Sequence, residues 1–394
     1  MTTAGVVIIG GGVVGSAVAW RLRHDGFTDR IVVVERDRSY ARASSFLAMG
    51  GIRQQFGSAV CVRMVQHSVA LWRDFDERLR TATHSPRAWF RERGYLFLAD
   101  DTNAEALLAR EAAQQAAGAV QRRLSVDDIR ALVPGLMLDD IRFGLFGPED
   151  GYANPREVLF GLRAAALAAG VEYLDDEVVE LETRGGRVRG VTLAGGHYVS
   201  APVVVNAAGA LAGRVARLAR LDVPVEPVRQ LLSRCTLPVR WPSRFPMVID
   251  PGGVHWRHDD ALVEGDPDRI ILAFTKWDEP AGENLECDEV RWESEFYPAL
   301  VRRLPAAVDV TDVHGWAGHY EMTPDHNPVL GEHPGLGGFI FASGFSGHGL
   351  MMSPATGLVV SELVRLGESR TFDVTPFAVD RFARGEFVPD GATI

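Results

Sequence analysis

The 394-residue sequence predicts an α/β fold, in which a Rossmann-type dinucleotide-binding domain is interleaved with an α+β domain built on an antiparallel sheet. Apolar β-type runs meet turns of small residues at three separate places, VVIIGGGVVG, VVVNAAGA and GGFIFASGFSGHG. Segments of helical pattern and alternating β-type runs separate these places. The predicted order is therefore α/β, insertion, α/β, insertion, α/β.

The first of these places has the spacing of a dinucleotide-binding loop. Gly10, Gly12 and Gly15 follow a strand and open an amphipathic stretch, and Glu35 ends the next predicted strand, IVVVE. Gly10 permits the tight turn, Gly12 lets the backbone approach a pyrophosphate, and Gly15 lets the helix pack on the strand. Glu35 can bind both hydroxyls of an adenosine ribose. We therefore favour a dinucleotide site over a glycine-rich turn without a ligand.

Composition excludes several classes of protein. The net charge is −11, from 41 basic and 52 acidic residues, so a nucleic-acid partner is not expected. Cys61, Cys235 and Cys287 form no CxxC pair, which argues against a disulfide framework and a zinc site. No apolar run approaches the roughly 20 residues of a membrane helix. With a first strand beginning by about residue 6, we expect no signal peptide and a cytoplasmic location.

Caps and periodicity predict the remaining elements. Ser125 and Asn154 are predicted N-caps of helices, and Gly367 is expected to follow the last long helix. Helical patterns cover residues 14–23, 58–79, 104–118, 126–133, 155–169 and 289–300. Strands are predicted at Ile31–Glu35, Glu172–Tyr173, Val178–Leu181, Val188–Leu193, Val203–Asn206, Ile270–Phe274 and Phe339–Ala342.

Several motifs together resemble a known family. The segments GYANPREVLFGLRAAALAAGVEY, VVVNAAGA, GHYEMTPDHNPVLG and GFSGHGLMMSPATG are similar to those of the D-amino-acid-oxidase-like flavoproteins. The resemblance spans nearly the whole chain. It is strongest to the branch that contains sarcosine oxidase, dimethylglycine dehydrogenase and glycine oxidase. It implies an FAD-dependent oxidoreductase with an FAD-binding domain at 1–83, 146–222 and 315–394, and a substrate domain at 84–145 and 223–314.

The resemblance also implies a set of cofactor-binding residues. The glycine loop and the acid after it would hold the ADP half, the backbone of Val179 would meet adenine, and the turn Gly344–Met351 would face the isoalloxazine. A glycine turn that opens a helix presents N–H groups and a positive dipole end to the flavin N1–C2=O edge. The implied residues are Gly10, Gly12, Val14, Gly15, Glu35, Arg36, Ser44, Ser45, Met49, Gly50, Gly51, Val179, Ala208, Gly209, Gly344, Gly347, His348, Gly349, Leu350 and Met351.

Three departures from the family pattern bear on cofactor chemistry. Gly318 stands where monomeric sarcosine oxidases attach flavin to cysteine, and Leu47 stands where dimethylglycine dehydrogenase uses histidine. We therefore expect non-covalent FAD. Ile271 occupies the position of the lysine that assists oxygen reduction, with Lys276 five residues later. The acceptor is accordingly either oxygen or a carrier, and Lys276 is either catalytic or a solvated lysine at a strand end.

Arg53 is the predicted substrate anchor. It matches the arginine that binds the amino-acid carboxylate in sarcosine oxidase. An arginine guanidinium can bind a carboxylate through two parallel hydrogen bonds. Met351 replaces a second anchor, a lysine, and Tyr320 replaces the arginine of glycine oxidase. Arg53 could instead form a structural ion pair. Tyr320 could be a hydrogen-bonded core residue or a donor to the substrate.

The histidines are weaker candidates. His348 is expected to contact flavin through its backbone, with proton transfer by its imidazole as the alternative. His255 and His319 are candidates for the substrate pocket. The histidines between residues 314 and 333 lack metal-ligand spacing, so no metal is expected.

The resulting hypothesis is FAD-dependent oxidation of the C–N bond of a secondary or N-alkylated amino acid. Hydride would pass to flavin N5 and leave an imine, with the enzyme orienting and desolvating an amino-acid-like substrate. One alternative is a 2-hydroxy-acid dehydrogenase of the same fold, with His319 or His348 as base. Another is a flavin-binding assembly or structural protein with degenerate chemistry.

Overall fold

The structure is a computed structural model that describes residues 2–239, 241, 244–259, 269–274 and 279–388. Its centre is a six-stranded sheet, here called the parallel sheet. In spatial order its strands are Val329–Glu332, Phe339–Ser343, Val203–Asn206, Val6–Ile9, Ile31–Glu35 and Glu172–Asp175. All neighbours pair in parallel except Val329–Glu332, which is antiparallel to Phe339–Ser343. Its central strands Val203–Asn206, Val6–Ile9 and Ile31–Glu35 are buried apart from Val203 and Glu35, which explains their Val and Ile runs.

Both faces of the parallel sheet are covered. Helices Val13–His24 and Gly349–Leu366 share a hydrophobic core with one face. These two helices approach closely at Gly357, where a Cβ would lie 2.8 Å from the Ala17 carbonyl oxygen. The other face packs against helix Ala212–Leu218 and a small four-stranded sheet. The strands of this small sheet are Thr2–Thr3, Tyr198–Ser200, Arg187–Leu193 and Val178–Arg184.

An eight-stranded sheet, here called the large sheet, lies beside the parallel sheet. In order its strands are Thr311–Met322, Glu226–Thr236, Arg269–Phe274, Val254–His258, Met247–Ile249, Tyr95–Ala99, Phe143–Gly147 and Arg122–Leu124. Its pairs are antiparallel except Met247–Ile249 with Tyr95–Ala99. One face packs in a hydrophobic core with residues such as Trp256 and Leu300. The opposite face carries Tyr95, Met247 and Ile271, and we call it the cavity face.

The remaining elements connect these sheets. A short antiparallel pair joins Gly51–Ile52 to Gly151–Tyr152. The other helices are Ser44–Leu47, Ala59–Trp72, Phe75–Arg78, Ala104–Ala116, Val126–Leu132, Pro155–Ala168, Tyr297–Arg303 and Arg381–Arg384, with a π-helix at Trp292–Phe296 and 3-10 turns at Gly209–Leu211, Pro305–Ala307 and Thr375–Phe377. Within the described ranges, no helix is both long enough and apolar enough to cross a membrane. The cytoplasmic location and the domain boundaries stay predictions.

The predicted α/β class is confirmed, and the caps act as expected. Asn154 accepts backbone N–H bonds from Arg156 and Glu157, and Ser125 forms a capping box with Asp128. Gly367 ends the last long helix with φ +79°.

Two predicted helices differ from the structure. The helix expected over residues 58–79 is divided at Asp74, whose φ of −121° leaves the helical range, although no Gly or Pro marks the break. The Trp72 and Phe75 rings stack across it at 5.3 Å. The helix expected over residues 289–300 contains a π-helical turn at Trp292–Phe296 and continues to Arg303. Burial of Phe296, Leu300 and Arg303 sets its position.

The glycines of the first turn differ in what surrounds them, and this generates a stability prediction. A Cβ on Gly15 would overlap the Gly10 carbonyl oxygen, whereas a Cβ on Gly12 would meet only Ser45 Oγ, at 3.4 Å. We expect Gly15→Ala to lower the free energy of unfolding by about 1–3 kcal/mol, because backbone must move. The matched Gly12→Ala should cost less than about 1 kcal/mol, since its φ of −61° suits alanine. Denaturant unfolding of ligand-free protein measures both, and equal losses would contradict this account of the turn.

Candidate functional site

An elongated cavity of about 650 Å³ lies between the carboxyl ends of the parallel strands and the cavity face of the large sheet. We call it the main cavity. This is where α/β folds of this type bind ligands. One end is formed by Glu35 and Arg36, and the other by Arg53, His255 and His348. The other predicted residues along it are Gly10, Gly12, Val14, Ser44, Ser45, Met49, Gly50, Gly51, Ala208, Gly209, His319, Tyr320, Gly347, Gly349, Leu350 and Met351.

The glycine loop supplies hydrogen-bond donors at the first end. Glu35 accepts backbone N–H bonds from Gly11 and Asp37, at 2.8 and 2.9 Å. Burial raises the pKa of Glu35, against these N–H bonds and Arg36. Ser45 Oγ accepts the Val13 N–H at 3.1 Å, so its hydroxyl lies at the N-terminus of the first helix. The Ser45 hydroxyl can donate its own proton, so together with the positive helix end it suits a pyrophosphate, whereas the Glu35 carboxylate suits ribose hydroxyls.

A second cavity of about 200 Å³ adjoins this end. Glu35, Arg36 and Val179 contribute to its lining, together with Val178 and Leu218. The apolar side chains and the neighbouring carboxylate suit a base and its ribose. Val179 therefore lies where the resemblance implied an adenine contact.

The C-terminal glycine turn forms part of the wall of the main cavity. Gly344, Ser346 and Gly347 all have positive φ, at +72°, +49° and +96°. A Cβ on Gly347 would lie 2.7 Å from the Tyr320 ring, so only glycine allows this close packing. Helix Gly349–Leu366 begins directly after the turn. Its free backbone N–H groups and positive dipole end therefore lie at the cavity wall.

Arg53 lies at the opposite end and is 1% exposed. Its Nη2 lies 3.0 Å from His348 Nε2, and Nη1 donates to the Gln55 carbonyl. The guanidinium also stacks on Phe56, 4.5 Å from the ring centroid. Arginine cannot accept a hydrogen bond, so His348 Nε2 must be the acceptor and the ring proton is on Nδ1. Burial is the largest cause that lowers the pKa of His348 well below its ordinary value, and electrostatic interactions with Arg53 and His326 act in the same direction. His348 is therefore a neutral imidazole.

Two further predicted residues lie near Arg53. Burial lowers the pKa of His255 to about 4, and its Nδ1 lies 3.2 Å from the Gly253 carbonyl, to which it donates. Its Nε2 is then an acceptor. Tyr320 is partly buried, and burial raises its pKa while Arg53 acts in the opposite direction. The substrate end thus combines one cation with two neutral imidazoles and a neutral phenol.

The segment that carries Arg53 is held by residues that sequence reasoning missed. Asp150 accepts the Gln54 N–H at 2.8 Å, and burial raises the pKa of Asp150 to about 8. Arg257 donates from Nε to the Met49 carbonyl at 2.9 Å and stacks on Tyr152. No motif marks either residue. The only available signal was the strand alternation that puts Arg257 on the same face as His255.

Glu321 was also missed. It lies in the main cavity wall, and its Oε2 accepts the Gly344 N–H at 2.9 Å. Burial raises the pKa of Glu321 to about 7, while two backbone N–H bonds act in the opposite direction. Its position within GHYEMTPD, next to Tyr320, was the signal that could have identified it.

Other candidates are placed less centrally. Burial lowers the pKa of His319, and its charged neighbours are Glu283, Arg42 and Arg36, which places it toward the Glu35 end. Ile271 is buried on the cavity face, and Lys276 lies outside the described residues. Trp256 belongs to the hydrophobic core on the opposite face of the large sheet.

The two positions at which relatives attach flavin are neighbours here. A Cβ on Gly318 would lie 3.3 Å from the Leu47 Cβ, and both residues line the main cavity. Neither residue carries a nucleophile. In the part of the chain that the structure describes, no group of three or more His, Cys, Asp or Glu could hold a metal ion.

The main cavity fits FAD in shape and donor chemistry. It has a ribose-type carboxylate and a helix N-terminus at one end, and a second helix N-terminus beside a polar end pocket. Gly12 leaves open space for a pyrophosphate, since a Cβ there would meet only Ser45 Oγ. Glu35, Ser45 and the turn Gly344–Met351 are therefore the residues that would hold the ADP half and the isoalloxazine.

Comparison with known proteins agrees with this arrangement. The family model described as FAD dependent oxidoreductase, DAO, matches residues 5–363. The chain is 33% identical to FAD-dependent oxidoreductase domain-containing protein 1 of Bos taurus, over 97% of this chain and 85% of that protein. It is 27% identical to glycine oxidase of Geobacillus kaustophilus, over 95% and 96% of the two chains.

Among solved structures, L-proline dehydrogenase from P. horikoshii superposes with a TM-score of 0.88 and 28% identity, covering 98% of this chain and 100% of that one. The predicted resemblance, which rested on the two glycine turns and the TPD segment, is confirmed. The chain therefore belongs to the DAO family of FAD-dependent oxidoreductases, and FAD is its cofactor.

Proposed function

We propose that the protein oxidises the C–N bond of a secondary or N-alkylated amino acid by hydride transfer to FAD, giving an imine. The observation that carries the proposal is the buried Arg53 guanidinium at the end of the main cavity, beside His255, His348 and Tyr320. A guanidinium fork in a cavity wall suits a carboxylate, which it can bind through two parallel hydrogen bonds. The similarity to glycine oxidase and L-proline dehydrogenase supports an amino acid as that ligand.

The groups around Arg53 suit a neutral amine. His255 and His348 are uncharged, and Tyr320 keeps its proton because burial raises its pKa. These groups offer no charge that would stabilise an ammonium. The substrate would therefore bind with its carboxylate at Arg53 and Tyr320 and with a free lone pair on nitrogen.

FAD supplies the hydride acceptor, and the protein supplies orientation and electrostatics. Arg53 and Tyr320 would fix the carboxylate, while the apolar residues Leu232, Met247 and Ala273 exclude water from the carbon that reacts. The N-terminus of helix Gly349–Leu366 lies at the cavity wall, where its positive dipole end would stabilise negative charge.

The 2-hydroxy-acid alternative has less support. It needs a base with a pKa near the working pH to take the hydroxyl proton. The histidines predicted as its base do not meet this requirement, because the pKa of His348 lies well below its ordinary value and His319 lies away from Arg53. Oxidation of a neutral amine requires no such base.

Removal of Arg53 is the central test. We expect Arg53→Ala to lower kcat/KM by about 30- to several-thousand-fold, since losing one partner of a buried charge pair costs roughly 2–5 kcal/mol. Arg53→Lys should recover only part, because a point charge replaces a bidentate fork. Steady-state kinetics should cover a panel of secondary and N-methyl amino acids, with primary amino acids and 2-hydroxy acids for comparison.

The matched control is Arg42→Ala, which removes a cavity cation at the Glu35 end. With FAD saturating, this variant should keep near-normal kcat/KM. Carboxylates without an amine should inhibit the wild type competitively and bind Arg53→Ala poorly. Near-normal kinetics in Arg53→Ala would show that the substrate is not held by a carboxylate, and the amino-acid proposal would then fail.

A separate prediction concerns cofactor attachment. Because Gly318 and Leu47 carry no nucleophile, we expect non-covalent FAD. Heat or acid should release intact FAD into the supernatant and leave a colourless pellet. Gly12→Ala should lower FAD content, since its methyl group would occupy the pyrophosphate space. Flavin that stays with the denatured protein would contradict the first expectation, and full FAD occupancy in Gly12→Ala would contradict the second.

The electron acceptor gives another prediction. A cation near flavin stabilises the negative charge that forms on oxygen during its reduction, and Ile271 supplies none. Reduced protein should therefore reoxidise slowly in air and quickly with a quinone or artificial dye, as followed by flavin absorbance. Fast reoxidation by oxygen that persists in Lys276→Ala would show that neither position governs acceptor choice.

A further inference from the structure

Glu321 is a buried carboxyl at the main cavity that the proposed oxidation does not use. It is 9% exposed and lies near the end of strand Thr311–Met322. Its Oε2 accepts the Gly344 N–H at 2.9 Å, and its backbone carbonyl accepts the Ser346 N–H at 3.1 Å. Side chain and backbone thus both contact the glycine turn.

The carboxylate also faces the start of helix Gly349–Leu366. A Cβ on Gly349 would lie 3.3 Å from Oε1, and a Cβ on Gly209 would lie 4.0 Å from Oε2. Glycines at both positions leave the carboxyl next to the cavity without an intervening side chain. The N-terminus of this 18-residue helix carries positive partial charge and favours an anion.

Ionisable side chains near Glu321 contact other residues. On the turn, the His348 ring contacts Arg53, and on the neighbouring strand Glu226 pairs with Arg217 at 3.9 Å. Tyr320, the preceding residue, keeps its proton. Among the described residues, the groups that influence Glu321 are backbone N–H donors together with burial, and its pKa is raised to about 7. Burial therefore opposes the carboxylate form of Glu321, and the backbone N–H bonds favour it.

We propose that Glu321 takes up a proton when the bound flavin is reduced, and releases it on reoxidation. The proposal rests on the placement of the flavin N1–C2=O edge at the turn Gly344–Met351. Reduction leaves negative charge on that edge, and two like charges in one buried site oppose each other. The flavin receives two electrons and one proton, as hydride from substrate, and the Glu321 carboxylate receives a second proton from water.

The test measures the reduction potential of the FAD-loaded protein between pH 7.5 and 9, with a chemical reductant and a reference dye. Each proton taken up per two electrons changes the equilibrium constant tenfold per pH unit, which corresponds to about 30 mV. The wild type should show a slope of about 60 mV per pH unit in part of this range. Glu321→Gln should show about 30 mV throughout, because glutamine keeps an oxygen for the Gly344 N–H but does not titrate.

Glu332→Gln is the matched control. Glu332 accepts the Gly338 N–H at 2.6 Å, another glycine turn, but it does not line the main cavity. This variant should keep the wild-type slope. A potential that shifts in Glu321→Gln without a change of slope would make Glu321 a structural residue and overturn the proposal.

Two further outcomes remain informative. If Glu321→Gln does not hold FAD, a wild-type slope of about 30 mV across the whole range still overturns the proposal. If both potential and slope are unchanged in the variant, the Glu321 carboxyl does not interact with the flavin, and the proposal fails. No substrate enters the titration, so its result is independent of the Arg53 experiments.

Discussion

The structure depends on the close approach of Gly15 to the Gly10 carbonyl oxygen. A side chain at Gly15 would overlap that oxygen, so the first helix begins directly over the end of the first strand. This position sets the helix N-terminus where Ser45 Oγ reaches the Val13 N–H, and where Glu35 joins the turn through Gly11. The ligand-binding end of the cavity therefore follows from a backbone contact that only glycine permits.

The large sheet is the second determinant of the site, because its two faces carry different side chains. Alternation along Val254–His258 puts Trp256 into the hydrophobic core and directs His255 and Arg257 to the cavity face. Arg257 then holds the Met49 carbonyl, and Asp150 holds the Gln54 N–H. These two bonds fix the backbone on either side of Arg53. A buried cation is thus positioned by polar groups from two distant parts of the chain.

Ionisable groups of different kinds occupy different parts of the main cavity. Arg53 and neutral imidazoles form the substrate end, Glu35 forms the ribose end, and Glu321 lies between them at a helix N-terminus. Each group has its protonation state set chiefly by burial, which disfavours charge unless a partner compensates. Arg53 keeps its charge because guanidinium does not deprotonate in proteins, whereas His255 and His348 remain neutral. The contrast between the permanently charged Arg53 and the titratable Glu321 is a property of this chain's own residues.

The sequence by itself determined the α/β class, the caps at Ser125 and Asn154, and the family. These features depend on local spacing, because glycine turns, N-caps and buried strands leave patterns within a few residues. Only the tertiary structure decided that His348 contacts Arg53, that His319 lies toward Glu35, and that Glu321 faces the flavin-binding turn. These contacts join residues up to 295 positions apart, and burial controls their protonation. No local sequence pattern encodes a contact between such distant residues or the burial that controls protonation.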